Sequence, residues 1–397
     1  MGETKKAKGS AGRKFLDRCR SGLVQFLDHL YSKDDRLVIF GASNGRQFYG
    51  CPRVIYEYMV KNCTKEFDCY YYLEDGPAND PRCLRKGGFF NWATIKKVIR
   101  ARTVIGSHGM WDFGPWGFSS KKIFIHTGHG FPMKAVALSS KSSTKKIISD
   151  WQLMGKRVTV ELASSELMAD LLSIGHGIPR ERYLVVGQAK NDKLIDNVLD
   201  PEPPYMMKLP PHQKVILYVP TFREWESARL FPFDDFDLPK LTEFLESNKI
   251  VILVRCHINE MASAKSYIGG RVVDFSYDYF PDVQNDDVLP HVDAVMTDYS
   301  SIYLDFLLLD RPVLFLPYDL EHYKEARGFM VDDYHKFTPG PKPGTFKEFL
   351  GALQDLVDGK DDYGAERKRV NALVSSAQTA NTPKKVVEYL RKKLGKN

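Results

Sequence analysis

No window of the chain reaches the roughly 18 apolar residues that a membrane-crossing helix requires, so any membrane contact is expected to be peripheral. The six cysteines, Cys19, Cys51, Cys63, Cys69, Cys83 and Cys256, include no CxxC pair and follow nothing resembling a secretory signal. That pattern excludes a zinc-finger framework and makes a reduced cytoplasmic compartment the expectation. The phosphate-binding fingerprints GxGxxG and GxxxxGKS/T are missing too, because GASNGRQ has neither spacing; a nicotinamide dehydrogenase and a P-loop ATPase lose their support. There is no acidic excess. Fifty-seven Lys and Arg against 50 Asp and Glu leave a net charge of +7, which favours phosphates, nucleic acid or an acidic membrane surface as partners. A non-catalytic nucleic-acid-binding protein would explain that charge, but no basic stripe with interleaved aromatics is present, so no nucleic acid is expected.

At 397 residues the chain exceeds what one hydrophobic core usually supports, and its 43% hydrophobic content is ample for two. Residues 1–35 stand apart. A basic tail, MGETKKAKGSAGRK, precedes a stretch in which Phe15, Cys19, Leu23, Phe26, Leu27 and Leu30 recur at helical spacing beside Lys14, Arg18 and Arg20. This basic amphipathic helix either lies in an anionic membrane interface or packs on its own domain. Strands are predicted at Leu37–Phe40, Asp68–Leu73, Thr103–Gly106, Ile123–His126, Val158–Ala163 and Tyr183–Val186, mostly separated by helical segments. Such alternation implies a mainly parallel, helix-covered sheet over 36–200. Pro201, Pro203, Pro204, Pro210 and Pro211 mark a linker at 201–213. The pattern then restarts with KVILYVPTF, KIVILVRCH, RVVDF, DAVMTDYSS and RPVLFLPYD over 214–380, before a C-terminal helix within 381–397 that caps this domain or crosses back. The expected class is α/β: two Rossmann-like, doubly wound domains facing a central cleft, the GT-B type.

Parallel sheets hold ligands at strand ends. IFIHTGHGFPMK ends a buried strand in His126, Thr127, Gly128, His129 and Gly130, with Lys134 shortly after. A histidine titrates near neutral pH and suits a general base, and flanking glycines let substrate approach the backbone. A plain turn or a His126/His129 metal pair are the other readings; the pair lacks identifiable further ligands. In the second half, DAVMTDYSSIYLDF sets Asp298, Tyr299, Ser300 and Ser301 between a strand and a helix, with Asp305 a turn later. Ser300 or Ser301 is an N-cap candidate, and N–H groups and hydroxyls at a helix start suit a phosphate. Arg255 and His257 end another strand, while Arg327, Gly328 and Phe329 precede TPGPKPG. Cations at several strand ends of one sheet are what a diphosphate needs.

In this order the segments HTGHGFPMK, GQAKND, YVPTFRE, VRCH, TDYSSIYLDF, RPVLFLPYD, the Tyr323–Phe329 stretch with its ARGF, and TPGP resemble the CDP-glycerol glycerophosphotransferases, the teichoic acid primases and polymerases. The likeness covers about residues 36–345. It implies that His129 is the general base of the family's WHG motif and that His257, from its RxHP motif, contacts the phosphate in flight. Arg327, Gly328, Ser300, Ser301, Arg255 and the loop Pro339, Gly340, Pro341 are then the CDP-alditol site, with Asp298 and Asp305 as support. Arg223 and Lys134 match cationic positions that hold donor phosphate or acceptor diphosphate, and His126 falls on the acceptor side. Three neighbours depart from the family pattern: Gly128 for tryptophan, Phe131 for threonine and Ile258 for proline.

The implied reaction moves glycerol phosphate from CDP-glycerol to a hydroxyl of an acceptor carried on undecaprenyl diphosphate, releasing CMP at the inner face of the membrane. A single, primase-like addition is expected because no long extra N-terminal region precedes the matching segments. CDP-ribitol polymerisation and nucleotide-sugar transfer on a GT-B fold are the alternatives. No metal ligands are expected; assistance by a divalent cation such as Mg stays open.

Overall fold

The computed structural model describes residues 21–86, 91–114, 118–196, 203–223, 225–256, 264–276, 280 and 283–396. Two parallel sheets organise them. The first contains β1 (Asp34–Gly41), β2 (Asp68–Tyr72), β3 (Cys83–Leu84), β4 (Ala101–Gly106), β5 (Ile123–His126), β6 (Val160–Ala163) and β7 (Tyr183–Val185), in the order β3-β2-β1-β4-β5-β6-β7. The second contains β8 (Lys214–Val219), β9 (Ile250–Val254), β10 (Val272–Asp274), β11 (Ala294–Thr297) and β12 (Val313–Phe315), in the order β10-β9-β8-β11-β12. Continuous apolar runs such as Val38–Phe40 and Ile250–Val254 are buried throughout, as strands covered on both faces must be. Register follows: Phe40 pairs with Tyr71 on one side and Ile105 on the other.

The chain divides into two compact units. One takes the described residues of Met1–His129, Lys146–Asp192 and Ala377–Asn397; the other takes Gly130–Lys145 and Lys193–Ser376. The expected linker at 201–213 contains a short turn, Met206–Lys208, and the buried Tyr205, whose hydroxyl donates to the Asp287 carbonyl at 3.2 Å. The C-terminal helix Thr382–Lys393 returns to the first unit. There Val386, Val387 and Leu390, on one helical face, join the core formed by Ile55 and Met59 of the helix Gly50–Asn62. Arg391 seals the contact by gripping Glu66 with two hydrogen bonds, at 2.9 and 2.6 Å.

Residues 21–30 are helical, and Asp28 anchors them: its carboxylate is buried against Lys122 at 2.7 Å and accepts the Ser119 N–H at 2.7 Å. Val24 is buried, whereas Leu23, Phe26 and Leu30 on the opposite side are about half exposed or more, at 47, 60 and 59%. The part of the expected amphipathic helix before residue 21 lies outside the described residues. No helix among the described residues is long and apolar enough to cross a membrane.

In each sheet the strand order reverses once, between β1 and β4 and between β8 and β11. Connections leave in opposite directions there, opening a crevice at the carboxyl ends of the strands where such folds bind ligands.

Candidate functional site

In the first unit Asp112 ties the reversal point together. Its buried carboxylate accepts N–H groups from Ser107, His108 and Gly109 after β4, at 2.8, 2.7 and 3.1 Å, and from Asn44 after β1, at 2.7 Å. Ser43 and Asn44 are left in the left-handed region, with φ of 49° and 55°, strain of the kind that persists where the surroundings over-determine a loop. His108 Nδ1 lies 3.3 Å from the Ser43 N–H and 2.8 Å from Ser107 Oγ. A ring nitrogen that accepts a backbone N–H carries no proton, so His108 is the neutral tautomer with its proton on Nε2. Desolvation and then His126 bring its pKa down to about 4.

His129 stacks on His108, with ring centroids 4.8 Å apart and planes 16° from parallel. Gly128 and Gly130 on either side have φ of 61° and 139°, conformations that a side chain would resist and that turn the histidine out of the strand direction. The residue as a whole keeps exposure to solvent. Desolvation by the protein around the ring, followed by His108, His126 and His176, lowers its pKa to about 3. At neutral pH both stacked rings are therefore uncharged.

His126 is placed differently from the acceptor-contacting role expected of it. It is buried, and its Nδ1 faces Glu161 Oε1 at 2.8 Å; His176 Nδ1 faces the same oxygen at 2.9 Å. Burial would lower the His126 pKa, but the Glu161 carboxylate outweighs it and the net shift is upward. Burial would likewise raise Glu161, and His176 and His126 together hold it well below the ordinary carboxylate range. Trp151 stacks on His176 at 3.8 Å, closing the cluster.

In the second unit the reversal point is built on a buried ion-pair network. Arg223 grips Asp319 with two hydrogen bonds of 2.8 Å each, reaches Asp298 Oδ2 at 2.8 Å and donates to the Thr221 carbonyl at 2.5 Å. Asp298 Oδ1 accepts the N–H groups of Thr221 and Tyr299, at 2.9 and 2.6 Å, and the Tyr299 hydroxyl donates to Asp319 at 2.8 Å. Asp298 thereby joins the end of β11 to Thr221 and Arg223. Arg223, read from sequence as a phosphate ligand, instead spends its guanidinium inside the protein. Arg255 does the same, donating to the carbonyls of Phe275 and Val283 with its guanidinium over the Phe275 ring.

The segment Gly130–Lys145 brings a further cation to this sheet. Lys134 forms an isolated antiparallel bridge with Phe329, and Ala135 donates its N–H to the Gly328 carbonyl at 3.0 Å. Desolvation, then Arg327, lower the Lys134 pKa to about 8, while Asp298 opposes them. Ser301 occupies the N-cap position of the helix Ile302–Phe306 without making a side-chain cap hydrogen bond, and its Oγ would lie 3.8 Å from a methyl placed on Gly130. Lys134, Arg327, Ser300 and Ser301 thus belong to one neighbourhood, and Asp305 is buried on the helix behind it. The Pro339–Pro341 loop packs on β12: a Cβ on Gly340 would stand 1.9 Å from the Val313 carbonyl oxygen, and Phe315 donates its N–H to the Pro341 carbonyl at 3.0 Å. Packing accounts for the glycine. His257 lies outside the described residues.

Sequence reasoning passed over His108, Asp112, Glu161, His176 and Asp319. Two of these left a signal: His108 sits just past the end of β4 much as His129 sits past β5, and Glu161 interrupts an otherwise apolar strand, VELA.

The family described as CDP-glycerol:poly(glycerophosphate) glycerophosphotransferase matches residues 23–392. A teichoic acid poly(glycerol phosphate) polymerase of Bacillus subtilis (strain 168) is 28% identical over 347 residues, 81% of this chain but 44% of the polymerase, so the chain spans under half of that relative's length. A teichoic acid glycerol-phosphate transferase of Staphylococcus aureus is 26% identical over 378 residues, 88% of this chain and 91% of the other. Among solved structures, that of the wall teichoic acid polymerase TagF aligns over 100% of this chain and 98% of its own, with a TM-score of 0.77 at 20% identity, which is a likeness of fold.

Proposed function

Because the chain belongs to the CDP-glycerol:poly(glycerophosphate) glycerophosphotransferase family, we propose that it transfers glycerol phosphate from CDP-glycerol to a hydroxyl of a lipid-linked acceptor, releasing CMP. The GT-B reading of the two sheets belongs to this proposal. The observation that carries it is His129: an imidazole just past the end of β5, on a residue open to solvent, held between two positive-φ glycines and uncharged at neutral pH.

The acceptor hydroxyl gives its proton to His129 as its oxygen forms a bond to the distal phosphorus of CDP-glycerol; the bond from that phosphorus to the bridging oxygen breaks, and CMP departs with the electron pair. A pKa near 3 makes a weak base, and the negative charge of an arriving diphosphate raises it toward the working pH. Lys134, Arg327 and the Ser300 and Ser301 groups hold the phosphoryl oxygens, a stabilisation that grows with the charge developing on them. Arg223 keeps Asp298 and Asp319 in place. His257 acts on the phosphate in flight.

His129→Gln should lower CMP release from CDP-glycerol by roughly 10²- to 10⁴-fold, the usual worth of general-base help, with the fold intact by circular dichroism. Release within twofold of the parent would sink the assignment. One unit per acceptor is the proposed mode, and a ladder of masses in the product would make the enzyme a polymerase instead.

Exposed Leu23, Phe26 and Leu30 are proposed to dock on anionic lipid. The discriminating variant replaces these three with serine, because deleting the helix would also strip Asp28 from Lys122. Unchanged co-sedimentation with anionic liposomes would discard the anchor.

A further inference from the structure

The sequence left a His126/His129 metal pair open for want of further ligands. Among the described residues, the fold gathers further ligand atoms around His126. The ligating atoms of His126, Glu161 and His176 all lie within 4.8 Å of one another, every one of the three residues is buried, and both imidazoles present Nδ1 to the same carboxylate oxygen. We propose that these residues form a structural site for one divalent cation of the zinc type, bound through His126 Nδ1, His176 Nδ1 and the Glu161 carboxylate.

The donor set and its surroundings argue for this. Two imidazoles with one carboxylate are a zinc combination, and a buried charge must be paired or coordinate a metal. A single protonated imidazole would already neutralise Glu161. The second is redundant in an ion pair and necessary in a ligand set. Each ligand comes from a different element, β5, β6 and the C-terminal turn of the helix Glu166–His176, so binding would pin three pieces of the first unit at one point. The Trp151 ring stacked on His176 fixes that imidazole's plane, as supporting residues do for metal ligands. Glu161 Oε1 also lies 3.8 Å from where a methyl on Gly128 would be, so the site borders the loop that carries His129.

The test uses the full chain. Purified protein should contain about one zinc by elemental analysis, and chelator-stripped protein should rebind zinc and raise its melting temperature. Cobalt in its place should give a visible spectrum typical of nitrogen and oxygen ligation. Glu161→Gln and His176→Gln should each weaken zinc binding by at least about tenfold. Should either variant fail to fold, X-ray absorption of the zinc-loaded parent, reporting two imidazoles and a carboxylate, serves instead. Parent protein that arrives metal-free and shows no stoichiometric zinc binding by calorimetry overturns the proposal, as does binding undiminished in a folded Glu161→Gln variant.

Discussion

Arg223 distinguishes a ligand-binding cation from a structural one. Its guanidinium is buried, and four of its five N–H groups are directed at Asp319, Asp298 and the Thr221 carbonyl. Arg223→Ala leaves two carboxylates buried without their cation. Removing one partner of a buried pair costs about 3–5 kcal/mol, and the N–H groups that still reach Asp298, with the Tyr299 hydroxyl on Asp319, favour the lower end. A unit of this size loses roughly 2–4 °C of melting temperature per kcal/mol, so the expected drop is about 10 °C. Arg223→Lys keeps the charge but cannot span Asp319 bidentately while holding Asp298, and should lose about half as much. Thermal unfolding by circular dichroism reads the stability, and calorimetry reads CDP-glycerol affinity on whatever remains folded. A melting temperature within about 2 °C of the parent, with affinity lost, would refute the structural role and return the guanidinium to the diphosphate.

Lys134 has a lowered pKa of about 8, so its ammonium is present below that pH and lost above it. CDP-glycerol affinity should fall by up to about tenfold per unit as pH rises past 8, and Lys134→Arg, which stays charged, should flatten the profile. His108, lowered from 6.5 to about 4, has the opposite concern: between those values the unfolded chain takes up a proton that the folded one refuses, so folding weakens as pH falls through that window. The parent should lose about 3 kcal/mol more than His108→Gln between neutral pH and pH 4, measured by urea melts at both; equal losses would remove His108 from the account. Gly340→Ala drives a methyl into the Val313 carbonyl and should cost about 1–3 kcal/mol in the same melts, whereas an unchanged midpoint would mean that the loop yields freely.

Strand positions were legible because parallel, doubly covered strands are apolar runs with sharp ends: Ile123–His126 and the start of β8 at Lys214 fall where the pattern puts them. Where prediction and structure part, the reasons are local. Val158 is still bonded back to the Met154 carbonyl and the Thr159 hydroxyl accepts the Phe124 N–H, so β6 begins two residues later than the apolar run suggests. The two-residue β3 is too short to show a period. At the site, the glycines around His129 announced a special backbone, because φ is a property of one residue. The partners of Arg223 and His126 did not announce themselves. Asp319 lies 96 residues from Arg223 and Glu161 lies 35 from His126, and only the sheet brings them together. An arginine destined for a phosphate and one destined for a buried aspartate look alike in a sequence.

A proton acceptor and an anion holder make opposite demands at neutral pH, and the two reversal points meet them by deciding where each carboxylate is spent. In the first unit the acids nearest the stacked imidazoles are occupied elsewhere, Asp112 by four backbone N–H groups and Glu161 by His126 and His176, so desolvation prevails and His129 stays neutral. In the second, Arg223 claims Asp298 and Asp319, so neither cancels the charge of Lys134, whose pKa is depressed by burial and by Arg327 yet not rescued by Asp298. A carboxylate released in either place would undo the arrangement. Freed by Arg223→Ala, Asp298 should pair with Lys134, raising its pKa and moving the affinity profile to higher pH while lowering affinity throughout. In any of that variant that folds, loss of stability and an upward shift of the pH limb should therefore appear together. A limb that stayed near pH 8 would mean that Asp298 holds its place without the arginine.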